Sequence, residues 1–469
     1  MSEYFINLAD VPQEETVIPV YICRPDILEA TLSRFSVVQK TYISAQGFRG
    51  KAGQLVSVPD ENGAIGLILF GAGHDNGFDN SAMRAGSLGS KLTQGFYTIA
   101  EKPDDWPAAV LAIAWGMGAY KFTKYLKRDA LPPKLVLGED VSGAEIKAIV
   151  KALHRGRDMI NTGAGDMGPK AMQSIAQGVA DAHGAKLTAV IGDDLLAQNY
   201  PMIYAVGRAA HEAPRLIEIN WGDDTHPRLS LVGKGITFDT GGLNLKSAVG
   251  MRIMKKDMGG AAHALALADM IMAAKLPVRL HVLLAVAENA VSGNAFRPGD
   301  VLSSRKGLSV EIDNTDAEGR LVLGDAITKA CEDKPKLVID FATLTGAARV
   351  ALGPTLAPFF SNRDKPVQGL LAQGNAQSDP FWHMPLWQPY NSLFKSSIAD
   401  MQNAGSSFAG SITAALFLQK FVSKNQAWMH FDVYGWNPTS SPARPKGGEI
   451  MCVRAVYEWL KAGGLERID

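Results

Sequence analysis

Cysteine is scarce. The 469 residues include three, Cys23, Cys331 and Cys452, far apart and odd in number. That excludes a disulfide framework and a thiolate zinc site, and it fits a reducing compartment. Charge of one sign is also missing. Lys plus Arg number 47 and Asp plus Glu number 47, a formal net charge of zero. The chain as a whole therefore lacks the basic excess that displaces counterions from nucleic acid, and nucleic acid is not an expected partner. No uncharged apolar run is long enough to cross a bilayer. The most apolar stretch, Gly259 to Ala274, carries His263 and Asp269 and reads as a buried helix. The opening MSEYFINLADVPQEE is acidic and has no basic segment followed by an apolar one, which speaks against a secretory signal. No membrane partner and a cytoplasmic location are the expectations. There is no Walker loop, no H-E-x-x-H and no G-x-S-x-G, and the nine histidines are scattered without metal-ligand spacing.

What is present is an ordinary globular composition, 46% hydrophobic and 20% charged, with material for a large core and two to three domains. Apolar runs at Ala64–Phe70, Leu135–Leu137, Leu187–Ile191, Leu229–Val232, Val282–Ala287 and Leu337–Phe341 read as buried strands. Helical spacing appears at Ala144–Ile160, Lys170–Ala182, Ala261–Ala274, Arg320–Cys331, Ser411–Val422 and Glu449–Leu460. The alternation predicts an α/β protein with largely parallel sheet content. Asn161 to Pro169 holds three glycines and a proline between two helices, so the boundary is placed there. A smaller N-terminal α/β domain (1–165) is expected before a larger C-terminal α/β domain (166–469).

The same junction contains Gly163-Ala164-Gly165-Asp166-Met167-Gly168, which satisfies G-x-G-x-x-G. A dinucleotide fingerprint should follow a strand, and here a helix precedes it, so a turn between domains is the better reading. His430 and Asp432 alternate along a strand. With no nucleophilic serine in a recognisable setting, a structural hydrogen-bonded pair is favoured over a triad remnant.

Two segments place charge where a core would not. In the first, the strand Leu229–Val232 leads into Gly233-Lys234-Gly235-Ile236-Thr237-Phe238-Asp239-Thr240-Gly241-Gly242, followed by Lys246 and by Met254-Lys255-Lys256-Asp257-Met258. Ligands in open α/β sheets gather at such strand ends. Asp257 alone could be a charge at a helix N-terminus. In the second, Asn314-Thr315-Asp316-Ala317-Glu318-Gly319-Arg320-Leu321 joins the alternating strand Leu308–Ile312 to a helix beginning near Gly319. One cap needs one side chain, not two carboxylates. Asp239, Asp257, Asp316 and Glu318 buried together would repel unless compensated. Two divalent cations, about 3.5–4 Å apart in known hydrolytic pairs, would compensate them. An oxygen-rich donor set without histidine suits Mn²⁺, Zn²⁺ or Mg²⁺. Lys234 beside two cations could ligate as a neutral amine, while Lys246 and Arg320 remain to hold an oxyanion and an anionic cofactor.

The run Asn314 to Leu321 resembles the signature of the cytosolic leucine aminopeptidase family, and Val232 to Gly242 is similar to that family's first metal segment. Glu288-Asn289, Arg297 to Val301, Ala342 to Gly346 and Ala399 to Asn403 match in order and spacing over roughly residues 170–469. The resemblance implies a metal-dependent aminopeptidase. Lys234, Asp239, Asp257 and Glu318 would hold one ion; Asp239, Asp316 and Glu318 would hold the other. A bridging water or hydroxide would attack the scissile carbonyl, Lys246 would stabilise the oxyanion, and Arg320 would hold a bicarbonate acting as general base. Only peptides with a free α-amino group, bound at one ion and Asp257, would fit. A homohexamer is implied as well. Met254, Thr343 and Gly346 match positions of the pocket for the first side chain. At another such position Tyr434 replaces a small alanine: it either narrows the pocket or swings away against Trp436. A dinuclear dipeptidase of restricted specificity and a non-catalytic DNA-binding role are the competing readings.

Overall fold

The period-2 and period-3.6 apolar runs become strands and helices throughout a computed structural model that describes residues 4–74, 81–126 and 131–468. The chain divides into two units, Met1–His154 with Thr439–Lys446, and Arg155–Pro438 with Gly447–Asp469. The division runs inside the helix Gly143–Asn161 rather than through the glycine-rich turn after it. A helix does precede that turn, and Pro169 opens the next one, Pro169–His183.

In the first unit six strands, β1 (Phe5–Ile6), β2 (Val17–Cys23), β3 (Leu55–Pro59), β4 (Ile65–Gly71), β5 (Phe96–Glu101) and β6 (Lys134–Val136), form one sheet in the order β1-β6-β5-β2-β4-β3. Only the β3–β4 pair is antiparallel. The helix Ala108–Ala119 is apolar nearly all round and is buried from Val110 to Ala119, as an enclosed helix should be. Residues Thr439–Lys446 pack into this unit at Gly86. A side chain there would bring its first carbon within 2.3 Å of the Ala443 nitrogen, so only glycine admits the segment.

The second unit contains β7 (Lys186–Ile191), β8 (Arg215–Trp221), β9 (Arg228–Asp239), β10 (Arg279–Asn289), β11 (Val301–Ser303), β12 (Ser309–Glu311), β13 (Leu337–Ala342), β14 (Ala357–Ser361), β15 (Phe381–His383), β16 (Met401–Gln402) and β17 (Trp428–Asp432). Eight of them form a mixed sheet, β15-β14-β17-β13-β9-β10-β8-β7, whose central strands β17, β13, β9 and β10 are parallel. β10 is buried from Leu280 to Ala287, the unbroken apolar run of a strand covered on both faces. The helices Gly259–Ala273 and Gly319–Glu332 pack on the sheet. Val232, Ile236, Leu283 and Ala285 share one core with Leu321–Leu323 of the second helix.

Three expectations are corrected. β9 is longer than Leu229–Val232 and continues to Asp239, so Lys234 lies within the strand and not beyond it. The strand expected at Leu308–Ile312 is only Ser309–Glu311 and joins a separate three-stranded sheet, β11-β12-β16. The last helix begins at Val453, not Glu449, because Cys452 has φ of 65° and breaks the helical path. Glu449 is instead buried against Arg157, accepting from its Nη2 at 3.1 and 3.0 Å, and from Asn437 Nδ2 at 2.7 Å.

Candidate active site

Lys234 lies on the central strand β9 and is buried. Its Nζ is 2.6 Å from Asp257 Oδ2 and 2.9 Å from Glu318 Oε1, and it donates to Thr343 O at 3.2 Å. Its aliphatic stem occupies the space left by Gly319, where an added Cβ would come within 2.5 Å of Lys234 Cε. Asp257 is carried by the 3₁₀ turn Met254–Met258 just before the helix Gly259–Ala273, and accepts from Thr343 Oγ1 at 2.8 Å. Glu318 immediately precedes the helix Gly319–Glu332, yet its side chain makes no capping bond. It points to Lys234 instead.

Asp239 ends β9. Its Oδ1 accepts from Gly241 N at 2.8 Å and Asn289 Nδ2 at 2.9 Å, and its Oδ2 is 2.8 Å from Lys246 Nζ. Lys246 also pairs with Asp316. One carboxylate oxygen from each of Asp239, Asp316 and Glu318 lies within 4.8 Å of the others. The two segments converge, then, but from β9 and from the small separate sheet. Thr315 stitches them: its Oγ1 donates to Gly241 O at 2.7 Å, and its N donates to Asn244 Oδ1 at 2.8 Å. Asn403 Oδ1 accepts from Asp313 N and Asn314 N at 2.9 and 3.1 Å. Sequence reading gave Asn244, Asn289, Thr315 and Asn403 no role. An asparagine closing a buried strand was the available signal for Asn289.

Electrostatics follow from burial. Four carboxylates face two lysines, an excess of negative charge with little water to screen it. Burial, and next the charge of Asp239, hold Asp316 and Glu318 above the ordinary carboxylate range. Burial would lower the two lysines, but the surrounding carboxylates outweigh it and raise both. For Asp257 burial pushes upward and Lys234 prevails, leaving it lowered. Glu318 Oε2 is buried and accepts no hydrogen bond among the described residues. Unsatisfied carboxylate oxygens grouped around shared lysines form a donor set that fits hard or borderline divalent cations.

A cavity of roughly 930 Å³ opens on this cluster. It is lined by Lys234, Asp239, Lys246, Asp257, Asp316 and Arg320, and by the expected pocket residues Met254, Thr343, Gly346 and Tyr434. Glu318 is the exception, almost wholly buried. Arg320 donates from Nη1 to Asn403 O at 2.8 Å and lies over the Phe417 ring at 5.7 Å. Burial pulls its pKa down to about 10, with Glu318 and Asp432 opposing. Tyr434 does not stack on Trp436, which faces Lys255 Nζ at 5.7 Å. It lies against Lys256 Nζ at 5.4 Å and the Arg349 guanidinium at 4.7 Å. His430 and Asp432 are not a pair. His430 Nδ1 bonds Asp340 Oδ1 at 2.6 Å, and Asp432 accepts from Leu344 N, Thr345 N, Thr345 Oγ1 and Ser411 Oγ.

Residues 154–457 match the family model for the catalytic domain of the cytosol aminopeptidase family, and residues 18–138 match the N-terminal domain of the M17 aminopeptidases. The chain belongs to the cytosol aminopeptidase family. A probable cytosol aminopeptidase of Synechococcus sp. (strain CC9605) is 35% identical over 443 residues, covering 90% of this chain and 91% of the relative. The cytosol aminopeptidase structure from Coxiella burnetii superposes with a TM-score of 0.91 at 42% identity, covering 96% of this chain and 98% of that one. The bottromycin maturation enzyme BotP in complex with Mn superposes with a TM-score of 0.86 at 30% identity, covering 96% and 99%. As a member of this family the protein is a metallo-aminopeptidase. Among the described residues no helix is long and apolar enough to cross a membrane.

Proposed function

We propose that this cytosol aminopeptidase removes the first residue from peptides with a free α-amino group, using two divalent cations held by Lys234, Asp239, Asp257, Asp316 and Glu318. The observation that carries the reading is the buried excess of carboxylate around Lys234 and Lys246, with Glu318 Oε2 left unbonded. Mn²⁺ or Zn²⁺ fits the donor set, with Mg²⁺ as a further option; the Mn-bound neighbour favours the first. Asp239 and Glu318 would serve both ions. Once bound, the ions would supply Lewis acidity toward the scissile carbonyl and acidify water from a pKa of 15.7 toward about 7.

The protein's own groups do the rest. Asp257, on the cavity wall, accepts from the substrate's α-amino group and so selects unblocked N-termini. Lys246 now pairs with Asp239 and Asp316; with those carboxylates engaged by cations, its ammonium would be free to donate to the oxyanion. Arg320 has a buried Nε with no hydrogen-bond partner among the described residues, and suits a planar anion. Bicarbonate there would supply the general base. We extend the homohexamer and the cytoplasmic setting to this chain on the same kinship.

The test is a panel of aminoacyl-aminomethylcoumarins assayed with Mn²⁺, Zn²⁺ or Mg²⁺. Leucyl substrate should turn over only with metal, and its N-acetyl form should be at least about 100-fold slower, because the anchoring amine is lost. Equal rates for the two would refute amine anchoring and point to an endopeptidase or esterase.

A further inference from the structure

The wall formed by Met254, Thr343, Gly346 and Tyr434 carries a feature that the hydrolytic reaction does not use. Two cations sit against Tyr434, Lys256 Nζ at 5.4 Å and the Arg349 guanidinium at 4.7 Å, and all three residues line the cavity. Lys256 is a buried ammonium, its side chain 6% exposed, and its Nζ donates no hydrogen bond among the described residues. Its nearest carboxylate oxygen is Asp257 Oδ1 at 3.9 Å, and Asp257 is already held by Lys234 at 2.6 Å and by Thr343 Oγ1 at 2.8 Å. Arg349 is exposed and has no ion pair among the described residues. A desolvated ammonium with no close acceptor costs free energy unless something else satisfies it. Here the open side is the cavity.

We infer that Lys256 and Arg349, spaced by the Tyr434 ring, form a carboxylate-binding wall that selects peptides whose first residue is aspartate or glutamate. This rests on the aminopeptidase reading above. The site's own acids do not meet the need: Asp239 and Asp316 pair with Lys246. A carboxylate on the substrate's first side chain would give Lys256 its missing acceptor and offer Arg349 a planar partner, and charge-assisted bonds of this kind are the strong ones. Tyr434 restricts the space for bulky apolar side chains while its ring supports both cations.

Full-length, Mn²⁺-loaded enzyme decides the matter with aminomethylcoumarin substrates of Glu, Gln, Asp and Leu, which carry no other carboxylate. Glu should exceed Gln in kcat/KM by about tenfold or more, since the two differ only in charge at equal size. Arg349→Gln, on the exposed side, and Lys256→Met should each cut that ratio at least about fivefold, and Arg349→Lys should retain part of it. A Glu-to-Gln ratio near one, or a ratio that neither variant moves while leucyl substrate still turns over, overturns the inference and leaves the aminopeptidase reading standing. If no unblocked substrate turns over, both fall. A preference for Leu-Ala over Leu-Ala-amide that vanishes in Arg349→Gln would assign the carboxylate to the peptide's C-terminus, and would likewise overturn the side-chain assignment.

Discussion

A guanidinium almost sealed from water ordinarily has a carboxylate beside it. Arg320 has none at ion-pair distance among the described residues; it has a backbone carbonyl, a phenyl ring and a buried Nε without a partner. Its fork is what lysine cannot copy. Arg320→Lys should lower kcat by about 10²–10⁴, the range for loss of a general base. Added bicarbonate should stimulate wild type more than the variant in steady-state assays; equal stimulation would count against an anion held there. The charged residues of this site were legible in the sequence, because Asp and Glu among glycines at strand ends are out of place in a core. Their neighbours were harder. Lys256 and Arg349 are 93 positions apart and meet only through Tyr434. The partner of His430 proved to be Asp340 on the adjacent strand β13, a matter of register between strands that no local pattern reveals.

Elements bring these residues within reach of one another, and glycine sets how closely. At Gly319 an added methyl group would fall 2.5 Å from Lys234 Cε and 2.6 Å from its Nζ. Gly319→Ala should therefore displace Lys234 and destabilise the fold by about 1–3 kcal/mol, the usual cost of overpacking. Activity should fall further than stability, as comparison of turnover with urea unfolding would show. The helix Gly259–Ala273 offers a second test. Its His263 is fully buried, with Nδ1 bonded to Gly259 O at 2.6 Å and Nε2 accepting from Met451 N at 2.9 Å, so the ring is held neutral. Burial lowers its pKa to about 4, below the ordinary 6.5. Between those values the folded state binds fewer protons than the unfolded one, so the stability that this group contributes is intact above about pH 6.5 and drains as pH falls toward 4. His263→Gln should flatten the thermal midpoint over that window. An unchanged slope would assign the acid sensitivity elsewhere. Many of the longer strands and helices were readable from period and length, but β2, β8 and the helices Ala108–Ala119 and Lys365–Ala376 were not picked out. β12 was readable as the alternation over Leu308–Ile312, though drawn one residue too long at each end, whereas β16, of two residues, was not, because a period needs more residues than that to appear.

At the scale of the whole molecule, cations that bind the folded carboxylate cluster and not the unfolded chain must stabilise the fold. At a free concentration about 100 times the dissociation constant the gain is about 2.7 kcal/mol. Mn²⁺ should raise the thermal midpoint of wild type, EDTA should reverse it, and Glu318→Gln should blunt the response and abolish turnover. A midpoint indifferent to metal would weigh against the cluster as a cation site. The α/β class and the two parts of the chain were visible in the alternation of patterns. The return of Thr439–Lys446 to the first unit was not, since nothing local marks a short loop as belonging far upstream.

That return has a consequence for how the protein is made. The ribosome finishes the first 154 residues, then synthesises nearly the whole catalytic portion before the segment that seats against Gly86 emerges. At about 5–20 residues per second the wait lasts on the order of tens of seconds. Throughout it, the close-packed notch at Gly86 faces solvent or a chaperone. A chain cut short before residue 439 would thus damage the end of the protein translated first, and the N-terminal unit, begun earliest, is among the last to be completed.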